Sequence, residues 1–151
     1  MPRSISHSLV KALKGVPGFG LLEEGDLLEI VGASVNLAWP AGDCIFDKGS
    51  PGDALYIVLS GRVQIYDEAN GDDLEIAQIG PGDYFGENSL LSETRHTKNV
   101  KAIEDAELLV LSKEAFGELM TSKPELDREI RQTLETRLTQ TQEKYDTTQP
   151  G

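Results

Sequence analysis

The chain has 151 residues and a formal net charge of −12, with 38% hydrophobic and 26% charged residues. That length suits one domain able to bury ~68–70% of its unfolded surface, while the acidic balance argues against a nucleic-acid-binding face and no apolar run approaches the ~18 residues of a membrane span. MPRSISHSLVKAL has no apolar core followed by a cleavage site, and Cys44 as sole cysteine rules out an internal disulfide, which fits a reducing cytoplasm.

In chain order, Ile5, Leu9 and Leu13 stand four apart and predict a first helix. VPGFG breaks it, and Leu27, Ile30 and Val31 predict a second. The period then changes. Val35, Leu37 and Trp39 alternate with polar or small residues, as in a half-buried strand. Further strands are predicted at 43–47, 54–60, 61–66, 74–79 and 106–111, separated by KGSPGD, the Ser60-Gly61 corner, Asn70-Gly71 and GPGD. Asn-Gly suits the positive φ angles of a type I′ hairpin turn. Cys44, in an alternating strand, reads as a small core residue. Ser112 is placed to cap a helix carrying Phe116, Leu119 and Met120. Pro124 then suits the first turn of a last helix, because its missing N–H would be unpaired there anyway. Leu126, Ile130, Leu134 and Leu138 form a narrow apolar line on it, which can lie on the barrel or pair with a second copy. Pattern alone therefore predicts short helices, an antiparallel β-barrel or roll, and two final helices.

AGDCIFDKGSPGDALYIVLSGRVQIY resembles the first half of a cyclic-nucleotide-binding domain, through Gly42, Gly49, Gly52-Asp53, the Leu55–Leu59 run and Gly61 before Val63. FGENSLL at 85–91 resembles the opening of that family's phosphate-binding cassette, and VKAIEDAELLVLSKEAFGELM resembles the segment on its C-terminal side. The resemblance covers roughly residues 16–145 and implies a single domain over 1–151. N-terminal helices fill 1–33. A jelly-roll-like β-roll, or double-stranded β-helix, fills 34–111 with the cassette at 84–100. C-terminal helices fill 112–145. The class is mainly β with flanking α.

The resemblance also implies a ligand, cAMP or cGMP, and no required cofactor or metal. Its site residues carry over as Phe85, Gly86, Glu87, Asn88, Ser89, Arg95, His96, Thr97, Lys98 and Thr141. Asn88 and Ser89 supply backbone N–H groups to a phosphate. Gly86 lets the backbone approach, and Glu87 accepts from the ribose 2′-hydroxyl. The chain departs from the family where it usually reads Pro-Arg-(small)-Ala-Thr-Val, for here stands Arg95-His96-Thr97-Lys98-Asn99-Val100. His96 occupies the arginine position and Arg95 the proline position. Strand alternation puts His96 and Lys98 on the face of Val100 and Ala102. RLTQTQEK at 137–144 resembles the long helix of the catabolite-activator type, in which Thr141 meets the purine amino group; no helix-turn-helix follows.

The function implied is a regulatory sensor that repositions its C-terminal helix. The alternative is a nucleotide-free domain of the same fold that acts in dimerisation or protein interaction. Partners are a cyclic mononucleotide and either a homodimer mate along helix 125–145 or an effector protein, without nucleic acid or membrane. Catalysis is not expected. His7 and His96 are far apart, and a metal-dependent barrel needs clustered ligands, often three histidines.

Overall fold

In the computed structural model, which describes residues 2–91 and 95–148, helices α1 (Pro2–Lys14) and α2 (Glu24–Ala33) precede the sheets. Eight strands follow: β1 (Ser34–Trp39), β2 (Cys44–Phe46), β3 (Ala54–Ser60), β4 (Val63–Ala69), β5 (Asp72–Ile79), β6 (Tyr84–Phe85), β7 (Asn99–Ala102) and β8 (Ala106–Ser112). The short helix α3 (Glu87–Leu91) interrupts them, and α4 (Lys113–Ser122) and α5 (Pro124–Thr148) close the chain. The strands form two four-stranded antiparallel sheets, ordered β1-β8-β3-β6 and β2-β7-β4-β5. This is the β-roll with flanking helices that the sequence implies. The outermost residues of the 1–151 domain, 1 and 149–151, and cassette residues 92–94 lie outside the described residues.

The sheets serve two cores, and strand alternation assigns residues to each. On β3, Leu55 and Ile57 face the helices and join Leu13, Phe19, Leu27, Phe116, Leu126 and Ile130. Tyr56 and Val58, on the other face, pack inside the roll with Val63, Phe85, Val100, Ala102 and Leu108. A strand buried on both faces reads as a continuous apolar run, which is why Leu55–Leu59 shows no alternation. The other predicted boundaries follow local chemistry. Asn70 and Gly71 take φ of 56° and 86° at the β4–β5 turn, Ser112 Oγ accepts from the Ala115 N–H at 3.2 Å, and Pro124 opens α5.

Two expectations are corrected. Val35 and Leu37 are not half-buried: both are exposed, Val35 to 57%, while Trp39, in step with them, packs edge-on against Tyr56. β1 is an edge strand paired only with β8. Cys44 is exposed rather than core, because β2 is also an edge strand; its thiol donates to Asp47 Oδ1 at 3.2 Å. β6, absent from the sequence reading, and β7, implied there only by the alternation of residues 96–102, complete the sheets around the cassette.

The apolar line of α5 lies on the roll within the same chain. Leu126, Ile130 and Leu134 are buried, and only Leu138 is about half exposed. Ile130→Ala is expected to cost about 2–5 kcal/mol, equally at low and high protein concentration in urea unfolding, with Leu138→Ala costing much less. A concentration-dependent midpoint would instead place that line against a second copy.

Candidate functional site

The site is assembled where β6 ends. Gly86 turns the chain with φ 94°, and a Cβ there would lie 2.9 Å from the Ala54 carbonyl oxygen and 3.1 Å from the Tyr56 ring. Only glycine meets both demands. A second close approach seats α3: a Cβ on Gly52 would lie 2.5 Å from the Ser89 Cβ. The Gly52-Asp53 turn and the Phe-Gly-Glu turn, separated by more than thirty residues, are thus two halves of one contact.

Together with α5 these turns enclose a cavity of about 290 Å³. Phe85, Gly86, Glu87, Asn88 and Ser89 line one side, His96, Thr97 and Lys98 another, and Leu134, Arg137, Leu138 and Thr141 a wall from α5. Ile65, Ile76, Ile79 and Val100 add apolar side chains to its lining. Nine of the ten residues read from the sequence therefore meet around one space. Phe85 does so as a packed ring, stacked on Tyr56 at 5.0 Å. Arg95 is the exception. It is exposed and donates through Nη1 to the Gly49 carbonyl at 2.8 Å, on the rim loop outside the cavity lining.

His96 is 5% exposed. Its ring stacks on Phe46 at 3.4 Å and 7°, and its Nδ1 lies 2.8 Å from Ser89 Oγ. Its backbone is anchored too: the His96 N–H donates to the Ser50 carbonyl and its carbonyl accepts from the Gly49 N–H. Ser89 has one hydroxyl hydrogen, and the Gly86 carbonyl is within reach of it at 3.0 Å. With that bond made, Nδ1 carries the histidine proton. Nε2 is then a bare lone pair, buried without a hydrogen-bond partner among the described residues. Burial pushes the imidazole below its ordinary value against a weaker attraction from Asp53, so the ring is neutral near pH 7.

Arg137 is a charged cavity-lining residue to which the sequence reading assigned no role. Its Nη1 donates to Glu87 Oε1 at 2.6 Å and its Nη2 to Asp83 Oδ1 at 2.9 Å, with the guanidinium 4.9 Å above the Tyr84 ring. Burial works against its charge, but Glu87 and Asp83 outweigh that and raise its pKa. Glu87 is only 4% exposed. Among Arg128, Arg131 and Glu135, Arg137 reads as one more solvated helix charge. The available signal was its place one turn before Thr141, whose hydroxyl donates to the Arg137 carbonyl at 2.8 Å.

With this geometry in place, comparison with known proteins is informative. Residues 37–123 match the family model described as cyclic nucleotide-binding domain. The chain belongs to the cyclic nucleotide-binding domain family. The cyclic AMP receptor protein of Thermus thermophilus is 40% identical over 87 residues, which cover 57% of this chain and 40% of the relative. The crystal structure of the Thermus thermophilus catabolite activator protein superposes with a TM-score of 0.75 at 32% identity, covering 87% of this chain and 62% of that one. The regulatory domain of Toxoplasma gondii PKA, crystallised with cAMP, gives 0.70 at 28% identity over 76% of this chain and 44% of that one. The chain thus spans less than half the length of the curated receptor protein it matches. The matched segment includes the cassette and stops before α5, so Arg137 and Thr141 are supplied from outside it. Among the described residues no cluster of His, Cys, Asp and Glu is suited to a metal, and no helix is long and apolar enough to cross a membrane.

Two outcomes are expected. Arg137→Met leaves Glu87 as a nearly buried charge without its partner. Removing one member of a buried pair costs about 3–5 kcal/mol, and partial solvent access at Arg137 and Asp83 brings the expected loss to about 2–3 kcal/mol by denaturant unfolding. For His96, the folded pKa is below the unfolded one, so the unfolded chain binds the extra proton first. Stability is therefore full above about pH 6.5 and declines as pH falls toward the depressed folded value. His96→Phe should remove that part of the decline below about pH 6.5; parallel wild-type and variant curves would show that the ring is freely protonated when folded.

Proposed function

We propose that this domain is a sensor that binds a cyclic mononucleotide, cAMP or cGMP, in the cavity between the cassette and α5, and reports it through α5. The observation that carries the reading is the cavity itself. Its volume is close to the ~300 Å³ at which small-ligand sites begin, and its lining combines the apolar Ile65, Ile76, Ile79 and Val100 with Glu87, Asn88, Ser89, Thr97 and Lys98. In this reading the apolar side chains take the base, Glu87 accepts from the ribose hydroxyl, and the turn Gly86–Ser89 and the loop 96–98 take the phosphate. Arg137 uses Oε1 of Glu87, but a carboxylate offers about four acceptor positions, so the pair fixes the carboxylate's orientation and leaves it able to accept from a ligand. Thr141 donates its hydroxyl hydrogen within the helix and keeps its lone pairs for an amino group on the base.

The output is α5. A ligand shifts such an element only by its differential affinity for two positions of it. The row Leu126–Leu134 is occupied by the roll, so the face offered to an effector protein or to a second copy is the polar one. The single cysteine suits a cytoplasmic setting for this role. A second reading, a domain of this fold without nucleotide that serves as an interaction module, is favoured by one observation: a neutral, stacked histidine stands where the family's arginine is expected.

Calorimetry separates the two. The sensor reading expects one molecule of cAMP or cGMP per chain, and an affinity about 10-fold or more weaker for the 2′-deoxy analogue, which leaves Glu87 without its donor. Absence of heat with both nucleotides at millimolar concentration overturns it in favour of the interaction module.

A further inference from the structure

We propose that Lys98 supplies the positive charge that receives the ligand's phosphate, in place of an arginine at position 96, and that the pocket is thereby fitted to a singly charged phosphate ester. This inference rests on the binding reading above and names the cation within it.

Among the described residues, Asp83, Glu87, Lys98 and Arg137 are the carboxylate, ammonium and guanidinium side chains that line the cavity. Arg137 is already divided between Glu87 and Asp83, at 2.6 and 2.9 Å, so its two forked donors face carboxylates. Arg95 is turned to the Gly49 carbonyl on the rim. His96 is neutral near pH 7, and Phe46 and Ser89 hold its ring in a buried slot. Lys101, three residues further along and on the other face of β7, lies across from Asp73 at 4.0 Å and does not line the cavity. The cation that faces the cavity at the cassette end is Lys98.

Its surroundings fit the part. Lys98 precedes β7 by one residue and shares the face of Val100, which packs inside the roll. Its ammonium donates to the Thr97 carbonyl at 3.2 Å, and Asp67, itself nearly buried and paired to Lys48 at 3.2 Å, draws on it electrostatically. Burial nevertheless pushes the ammonium below its ordinary range, Asp67 offsetting part of that and Lys48 adding to it. An anion beside Lys98 offsets this cost by charge attraction. An ammonium is a point charge without a planar fork. It matches one phosphate charge, whereas a doubly charged monoester would leave the second charge uncompensated near Glu87.

The test is calorimetry of the full chain with cAMP as probe, alongside thermal unfolding of each variant. Lys98→Gln is expected to weaken binding roughly 10- to 100-fold, the loss of one charge-assisted hydrogen bond. Lys98→Arg should restore most of the affinity, Lys101→Gln should leave it unchanged, and added salt should weaken the wild type more than Lys98→Gln. If Lys98→Gln binds as tightly as the wild type, or if the loss appears instead in Arg95→Gln or His96→Gln, the assignment to Lys98 is overturned while the sensor reading stands. If the wild type binds neither cAMP nor cGMP, the sensor reading itself is refuted, and this inference with it.

Discussion

The guanidinium of Arg137 joins three parts of the chain that are encoded far apart: the turn before β6 through Asp83, the cassette through Glu87, and the last helix that carries it. Without it, Glu87 would be a carboxylate almost out of water with no cation beside it, a state that costs far more than a surface charge. With it, the acid is fixed in one orientation and α5 is held against the cassette. The rest of the site depends on this arrangement, because the wall contributed by Leu134, Leu138 and Thr141 exists only while α5 lies there.

Behind the site stands a division of labour in β3. One face of that strand belongs to the helices and the other to the roll, so both cores are anchored to the same seven residues. β6 is paired to β3 through Tyr56–Phe85 and Ile57–Tyr84. The cassette therefore begins beside a strand with five of its seven residues buried, and Gly86 starts from a fixed point.

Much of this was legible in the sequence, for identifiable reasons. Turns that need glycine leave glycine behind, as at Gly52, Gly71 and Gly86, and helix starts leave Ser112 and Pro124. A strand buried twice leaves an unbroken apolar run. What was not legible depended on neighbours distant in sequence. Val35 and Leu37 alternate like core residues, but their sheet ends at β1. Cys44 alternates in the same way on the other edge. Arg95 and His96 are adjacent, and nothing local decides which enters the cavity; Phe46 and Gly52, from a separate part of the chain, decide it by stacking the histidine and seating Ser89. Arg137 was hidden because a charged residue on a charged helix carries no mark of burial until the roll is in place.

The docking of α5 also limits how far any signal can move it. Lifting the whole helix would return Leu126, Ile130 and Leu134 to water, at about 1.5–3 kcal/mol for each side chain. That exceeds the few kcal/mol by which a small ligand commonly biases two conformations. The first part of α5 is accordingly a fixed stem, and any inexpensive hinge lies beyond Leu134. In the sensor reading proposed above, the lever is the remainder of the helix, with the ion-paired arginine near its pivot.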